Sequence, residues 1–206
     1  MRQSIASVFV LLAVNIIGCH AEPTIREHEG PFTFRNTSWG MSVQQVIDAE
    51  RRSPVTWSDE SAWYYDNVAG LPCQVIYDFV DSLLVGGCYK VTQPRTGATE
   101  YFRDYLHFYR LLEQKYGEPF AKDSSWRESP STVPVSLGSE ATYALFRDSQ
   151  STVELTLLNH GDERVIVRYE TRDPELQQKC EAKTRAILED LKFFRALQDS
   201  IDRLEL

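Results

Sequence analysis

The sequence predicts an α+β fold of two tandem units, each with one helix followed by three antiparallel strands (α-β-β-β), and then a long C-terminal helix. A helical pattern followed by strand-like alternation of apolar and polar residues occurs twice, over residues 32–93 and 94–172. A strong helix start then opens residues 173–206. Because an amphipathic helix and a half-apolar sheet must both cover an apolar face, each helix is expected to pack on the sheet of its own unit.

Residues 1–18 predict an export signal of the lipoprotein type. Arg2 precedes an almost unbroken apolar run over residues 4–17, which is too short for a comfortable membrane span. The run ends in Ile-Ile-Gly-Cys, a lipobox that makes Cys19 the expected lipidation site and the first residue of the mature chain. An ordinary secretory signal or an uncleaved anchor is the alternative. Residues 19–31 are polar and contain Pro and Gly, so they are expected to form a tether.

The first helix is predicted directly after Ser42. Ser42 and Gln45 have the spacing of a capping box, in which each side chain satisfies a backbone N–H at the helix start. An apolar stripe at helical spacing follows, made of Val43, Val46 and Ile47. The helix is expected to run to about Arg52 and to stop before Pro54.

Three strands are predicted in the first unit, at residues 62–68, 73–79 and 83–91, with a turn at Asp81-Ser82. Cys73 and Cys88 flank this hairpin. A two-residue turn would place them diagonally on one face, and a bulge at Gly86-Gly87 would bring them opposite each other. A Cys73–Cys88 disulfide is therefore a candidate in an oxidising compartment, with free thiols or a bridge to Cys180 as the alternatives.

The second unit is predicted to open with a helix that ends at Gly117, with Pro119 beyond it. Its stripe of large apolar and aromatic residues consists of Tyr101, Tyr105, Phe108, Leu112 and Tyr116. Strands are predicted at about residues 141–147, 152–158 and 164–170.

The C-terminal helix is predicted to start with Asp173 as N-cap and Pro174 in its first turn. Its helical stripe consists of Leu176, Cys180, Ile187, Leu191, Phe194 and Ile201. One interpretation is that the helix packs along both units or breaks midway, because apolar stripes usually face the protein's own core. The other is that the later part of the stripe, namely Ile187, Leu191, Phe194 and Ile201, binds a partner helix or a second copy.

Composition excludes several classes of function. The 206 residues carry a formal charge of −8, and loss of Arg2 with the signal makes it −9. Nucleic-acid binding would need a basic face, and attraction to anionic lipid would need basic clusters, so membrane attachment is expected to be covalent. The four His residues lack zinc-ligand spacing, and there is no nucleophile elbow, P-loop or dinucleotide-binding turn. The sequence therefore predicts no metal, no cofactor and no catalytic site.

The stretch Phe-Arg-Asn-Thr-Ser-Trp-Gly-Met-Ser at residues 34–42 resembles the opening of a group of uncharacterised bacterial lipoproteins, whose mature domain starts with a similar F-R-x-T-x-W-G-M-S pattern. Residues 76–81 and 112–119 resemble the same group. The helix start is more distantly similar to BamE, the small lipoprotein subunit of the outer-membrane assembly machine, and to β-lactamase-inhibitor-protein-like repeats. The resemblance implies a lipoprotein of the binding type. By similarity to Gram-negative sorting, His20 after Cys19 implies an outer-membrane protein facing the periplasm.

The sequence thus predicts a lipid-anchored envelope protein that binds a protein partner and is not an enzyme. The alternative is a small-ligand carrier or enzyme with a pocket between helix and sheet. That pocket would be lined by Tyr77, Tyr101, Tyr105 and Trp126. A third hypothesis is a structural envelope lipoprotein that acts through its C-terminal helix.

Overall fold

A computed structural model describes residues 33–122, 142–158 and 164–202, with side chains described as far as Arg195. Within these ranges, three helices and eight strands follow one another along the chain. Their order is α1 (Val43–Glu50), β1 (Thr56–Trp57), β2 (Ser61–Val68), β3 (Leu71–Val80), β4 (Leu83–Val91), α2 (Ala98–Tyr116), β5 (Ala121–Lys122), β6 (Thr142–Arg147), β7 (Ser151–Leu158), β8 (Arg164–Thr171) and α3 (Pro174–Asp202). The mixed helix and strand composition and the long C-terminal helix are as predicted. The export signal, the tether, Cys19 and Trp126 lie outside the described residues.

All the described strands form one antiparallel sheet in the order β1-β2-β3-β4-β8-β7-β6-β5. The prediction of two tandem α-β-β-β units, each with its own sheet, is therefore wrong. The reason is the pairing of β4 with β8, which joins the strands that follow α1 to those that follow α2. Separate sheets would have left both strands as long unpaired edges. In the observed sheet, β1 and β5 form the edges, and each is only two residues long.

Two tight turns set the register of the β2–β3–β4 meander. Ala69 and Gly70 have φ angles of 54° and 81°, and Asp81 and Ser82 have φ angles of 51° and 61°. Two successive residues with positive φ are the mark of a type I′ turn, whose twist matches that of a hairpin. The predicted turn at Asp81-Ser82 is confirmed.

The core lies on the sheet face that we call the front face, where α1 and α2 pack. Alternate residues of every long strand point into it, as the two-residue period of a strand requires. The largest fully buried side chains on this side are Tyr64, Tyr77, Tyr105, Phe34, Phe146, Leu84, Leu155 and Leu157. α1 starts with the predicted capping box of Ser42 and Gln45 and ends earlier than predicted, because Arg51 adopts the left-handed conformation as C-cap.

A bulge in β4 decides where the cysteines point. Asp78 pairs with Gly86 while Phe79 pairs with Leu84, so one extra residue, Val85, is inserted into β4. This shift pairs Cys88 with Ile76 and Cys73 with Val91. Because neighbours along a strand alternate between faces, Cys73 points into the front core and Cys88 points to the opposite, rear face. The candidate Cys73–Cys88 disulfide is therefore wrong, and both residues are buried free thiols.

Candidate interaction surface

Helix α3 is anchored at its start by the cap that the sequence predicts. The Asp173 carboxylate accepts hydrogen bonds from the backbone N–H groups of Glu175 (2.9 Å) and Leu176 (3.0 Å). Pro174 occupies the first helical position, where no N–H is needed. The first turn of α3 is therefore firmly positioned relative to the end of β8.

The first half of α3 lies on the rear face of the sheet. Leu176 packs with Val80 and Val85, and Cys180 borders this cluster. Lys179 lies 3.9 Å from the Asp81 carboxylate. Lys183 donates to Glu60 in the β1–β2 turn at 2.9 Å. These contacts carry α3 across β4 and β3 as far as the turn that leads into β2.

Beyond Lys183 the apolar stripe of α3 is exposed. Ile187, Leu191 and Phe194 expose 38%, 45% and 63% of their surface, and they continue the helix face that carries Leu176 and Cys180. Leu188 and Phe193 flank them and are 49% and 65% exposed. We call these five residues the distal α3 surface. The interpretation that α3 packs along both units is wrong for this part of the helix, because its apolar stripe is exposed.

Of the four residues predicted to bind a partner, three belong to the distal α3 surface. Ile201 lies on the same helix, but its side chain is outside the described residues. The sequence missed Leu188 and Phe193, since neither falls on the single stripe that was traced. The ring centroids of Phe193 and Phe194 lie 6.0 Å apart in an edge-to-face arrangement, so the two aromatic side chains form one exposed apolar knob.

The tyrosines predicted to line a pocket are core residues. Tyr77 and Tyr105 are completely buried, and both belong to the main apolar cluster. Tyr101 is half-buried, and its hydroxyl accepts a hydrogen bond from the backbone N–H of Arg95 at 3.0 Å. Tyr77 and Tyr105 therefore give the ligand-carrier alternative no support, because completely buried side chains do not offer a surface to a ligand.

A buried charged network that the sequence did not reveal lies under α1. Arg35 donates to Glu50 at 2.6 Å and to Asp66 at 2.7 Å, and Arg52 donates to Asp66 at 3.0 Å. The Tyr77 hydroxyl donates a hydrogen bond to the Glu50 carboxylate. The only sequence signal is that Glu50 continues the apolar stripe of α1, where an acid would be costly without partners.

The network lowers the pKa of Asp66. Burial alone would raise that pKa, but the hydrogen bond from Arg35, together with the charges of Arg35 and Arg52, lowers it below its ordinary value. Burial raises the pKa of Tyr77, and the hydrogen bond to Glu50 raises it further, so Tyr77 stays a hydrogen-bond donor. The network therefore joins the segment before α1 to α1 and the sheet, and its geometry is that of a structural clamp.

Two carboxylates lie on the rear face, one on each side of Gly86. Asp78 and Glu170 both pair with Gly86 across the sheet, and a methyl group at Gly86 would lie 3.6 Å from the Asp78 carboxylate. Burial raises the pKa of Asp78, and the charge of Arg168 partly opposes this. No group of three or more His, Cys, Asp or Glu side chains among the described residues is arranged to hold a metal ion.

The chain matches no family model, no curated protein and no solved structure. The lipoprotein resemblance therefore stays a prediction. Among the described helices, none combines the length and apolar character that crossing a membrane requires.

Proposed function

We propose that this protein is a lipid-anchored envelope protein whose non-catalytic role is to bind another protein through the distal α3 surface. The observation that carries the proposal is the exposure of Ile187, Leu191 and Phe194 on a helix whose base is firmly docked. Contiguous exposed apolar surface of this kind commonly marks an interaction site. The lipobox at Cys19 and the tether support a position at a membrane, most simply the periplasmic side of an outer membrane.

Site-specific photo-crosslinking in intact cells tests the binding role. A benzophenone side chain at Phe194 should give one dominant protein adduct. The matched control places the same probe at Gln178, which is also exposed, lies on the side of α3 away from the apolar stripe and precedes the distal α3 surface by about 13 Å or more along the helix axis. Adducts of equal yield at both positions, or none at Phe194, would argue against the proposal.

A separate experiment tests the anchor. Cells expressing the full chain should incorporate an alkyne-tagged palmitate into the protein, and the Cys19→Ala variant should lose both the label and its membrane association. The Cys180→Ser variant serves as the control, because that residue is half-buried on α3 and distant in sequence from the lipobox. An unlabelled native chain would rule out the lipoprotein assignment.

A further inference from the structure

We infer that the partner of the distal α3 surface is a second copy of this chain, bound so that the two α3 helices run antiparallel. This inference rests on the proposed function and specifies its partner. It follows from the position of the domain on α3, from the length of helix that extends past the sheet, and from the charge and area of the exposed surface.

The domain restricts the direction of any partner helix. Leu176 and Cys180 use the stripe to touch the rear face, so the sheet occupies the space in front of the first half of α3. A second copy bound in parallel would have to place its own first half in that space, and its domain would overlap the first. An antiparallel second copy avoids this conflict. The C-terminal end of its α3 approaches the domain of the first copy, and its own domain lies beyond the C-terminal end of the first copy's α3.

The length of free helix suits such an arrangement. α3 ends at Asp202, and among the described side chains the last one of α3 with a hydrogen bond or ion pair to the sheet region is Lys183, which contacts Glu60. Residues 184–202 therefore extend for about 28 Å, at 1.5 Å per residue. Two such segments of equal length can overlap completely. A two-fold axis between residues 192 and 193 then places Leu191 of one copy opposite Phe194 of the other, and Ile187 opposite residue 198.

Charge also favours this contact. The whole chain carries −8, which opposes association of two copies through most of its surface. Residues 184–202 are close to balanced. Their basic residues are Arg185, Lys192 and Arg195, and their acidic residues are Glu189, Asp190, Asp199 and Asp202. The exposed helix is thus a part of the molecule where two copies meet with little repulsion.

The area available predicts a weak dimer. The five side chains span more than half of the helix circumference, so one partner helix cannot cover Phe193 together with the other four. From their exposed fractions, Ile187, Leu188, Leu191 and Phe194 present roughly 400 Å². Burial on both copies would remove about 800 Å² from water, which is the size of a weak, transient contact rather than of a stable interface. We therefore expect a dimer that dissociates on dilution.

Sedimentation equilibrium of the mature chain, residues 19–206 with Cys19→Ser to prevent lipidation, measures this association. The double variant Leu191→Glu and Phe194→Glu should weaken the dimer by about tenfold or more, since charges would be buried at its centre. The double variant Gln178→Glu and Ala182→Glu is the matched control, because it adds the same two negative charges at exposed positions on the other side of α3 and should leave association unchanged.

Disulfide trapping in a Cys180→Ser background tests the direction. In the antiparallel register, position 188 of one copy lies within about 3 Å of position 195 of the other along the axis. Leu188→Cys mixed with Arg195→Cys should therefore crosslink. Each variant alone should not, because its two thiols would be at least about 7 Å apart along the axis before any sideways separation. Efficient crosslinking of either variant with itself would overturn the inference in favour of a parallel pair.

The outcomes separate this inference from the proposed function. A chain that stays monomeric at all concentrations while Phe194 crosslinks to a different protein in cells would overturn the second-copy inference and leave the binding role standing. A monomer that binds vesicles of phosphatidylethanolamine and phosphatidylglycerol through the same residues would overturn both in favour of a lipid surface.

Discussion

The contact between Gly87 and Phe34 gives the sharpest stability prediction. The Phe34 ring is 1% exposed and lies on the backbone of Gly87, between the rings of Tyr77, Tyr89 and Tyr169 at centroid distances of 5.2, 4.9 and 5.1 Å. A Cβ atom at Gly87 would lie 2.4 Å from two atoms of the Phe34 ring. Because real Cβ atoms do not approach so closely, Gly87→Ala must displace the ring or the strand.

The cost of Gly87→Ala depends on which of these moves. Partial repacking of an overfilled core costs about 1–3 kcal/mol. Complete expulsion of the ring would approach the loss expected for Phe34→Ala, about 3–5 kcal/mol. Either value is a large fraction of the roughly 5–15 kcal/mol that stabilises a typical domain.

Urea unfolding followed by tryptophan fluorescence measures this change. Gly97→Ala is the matched control, because a Cβ there would meet nothing within 4 Å. Gly97 is the N-cap of α2, so its replacement should cost less than about 1 kcal/mol. In a Phe34→Leu background, Gly87→Ala should cost less than in the native chain, because the clashing ring atoms are gone. Equal costs for Gly87→Ala and Gly97→Ala would refute the argument.

Three further predictions concern the charged network, a turn and a cap. The pKa of Asp66 is lowered in the folded state, so its ionised carboxylate stabilises the fold above about pH 4. This stabilisation is lost as the pH falls through the lowered pKa. The difference in free energy of unfolding between the native chain and Asp66→Asn should therefore shrink in acid. A difference that is constant between pH 7 and pH 3 would contradict this. Ser82→Gly should stabilise the chain by about 0.5–1 kcal/mol, because Gly adopts a φ of 61° without strain; thermal unfolding that shows a loss would contradict the type I′ assignment. Asp173→Ala should cost about 1 kcal/mol and should speed amide hydrogen exchange in the first turn of α3, whereas Asp173→Asn should retain most of the cap; equal exchange in the two variants would contradict the role of the cap.

Local features of the fold could be predicted because they depend on neighbours in sequence. The capping box at Ser42, the turn at Asp81-Ser82 and the cap at Asp173 are confirmed, and each involves groups a few residues apart. The helical stripe of α2 and the long strands were found from periodicity alone, with bounds within a few residues of those observed.

The remaining features depend on contacts between distant parts of the chain. Pairing of β4 with β8 joins residues about 80 positions apart, and no local pattern specifies it. A single inserted residue, Val85, reversed the face of Cys88 and removed the basis for a disulfide. The hydrogen-bond partners of Glu50, Arg35 and Tyr77, come from two other segments, so the sequence shows an acid in an apolar stripe but not the groups that neutralise it.

The base of α3, which supports the distal α3 surface, is held by contacts with distant parts of the chain. Trp39, five residues after Phe34, packs on the Leu176 cluster and donates its indole N–H to the Gln150 carbonyl at 3.1 Å. The segment before α1 and the base of α3 are thus held together at one place. Most helical stability in proteins comes from packing of the apolar face rather than from intrinsic propensity. Leu176 and Cys180 are packed on the domain, whereas Ile187, Leu191 and Phe194 are exposed, so a partner on the distal α3 surface would supply packing to the second half of the helix.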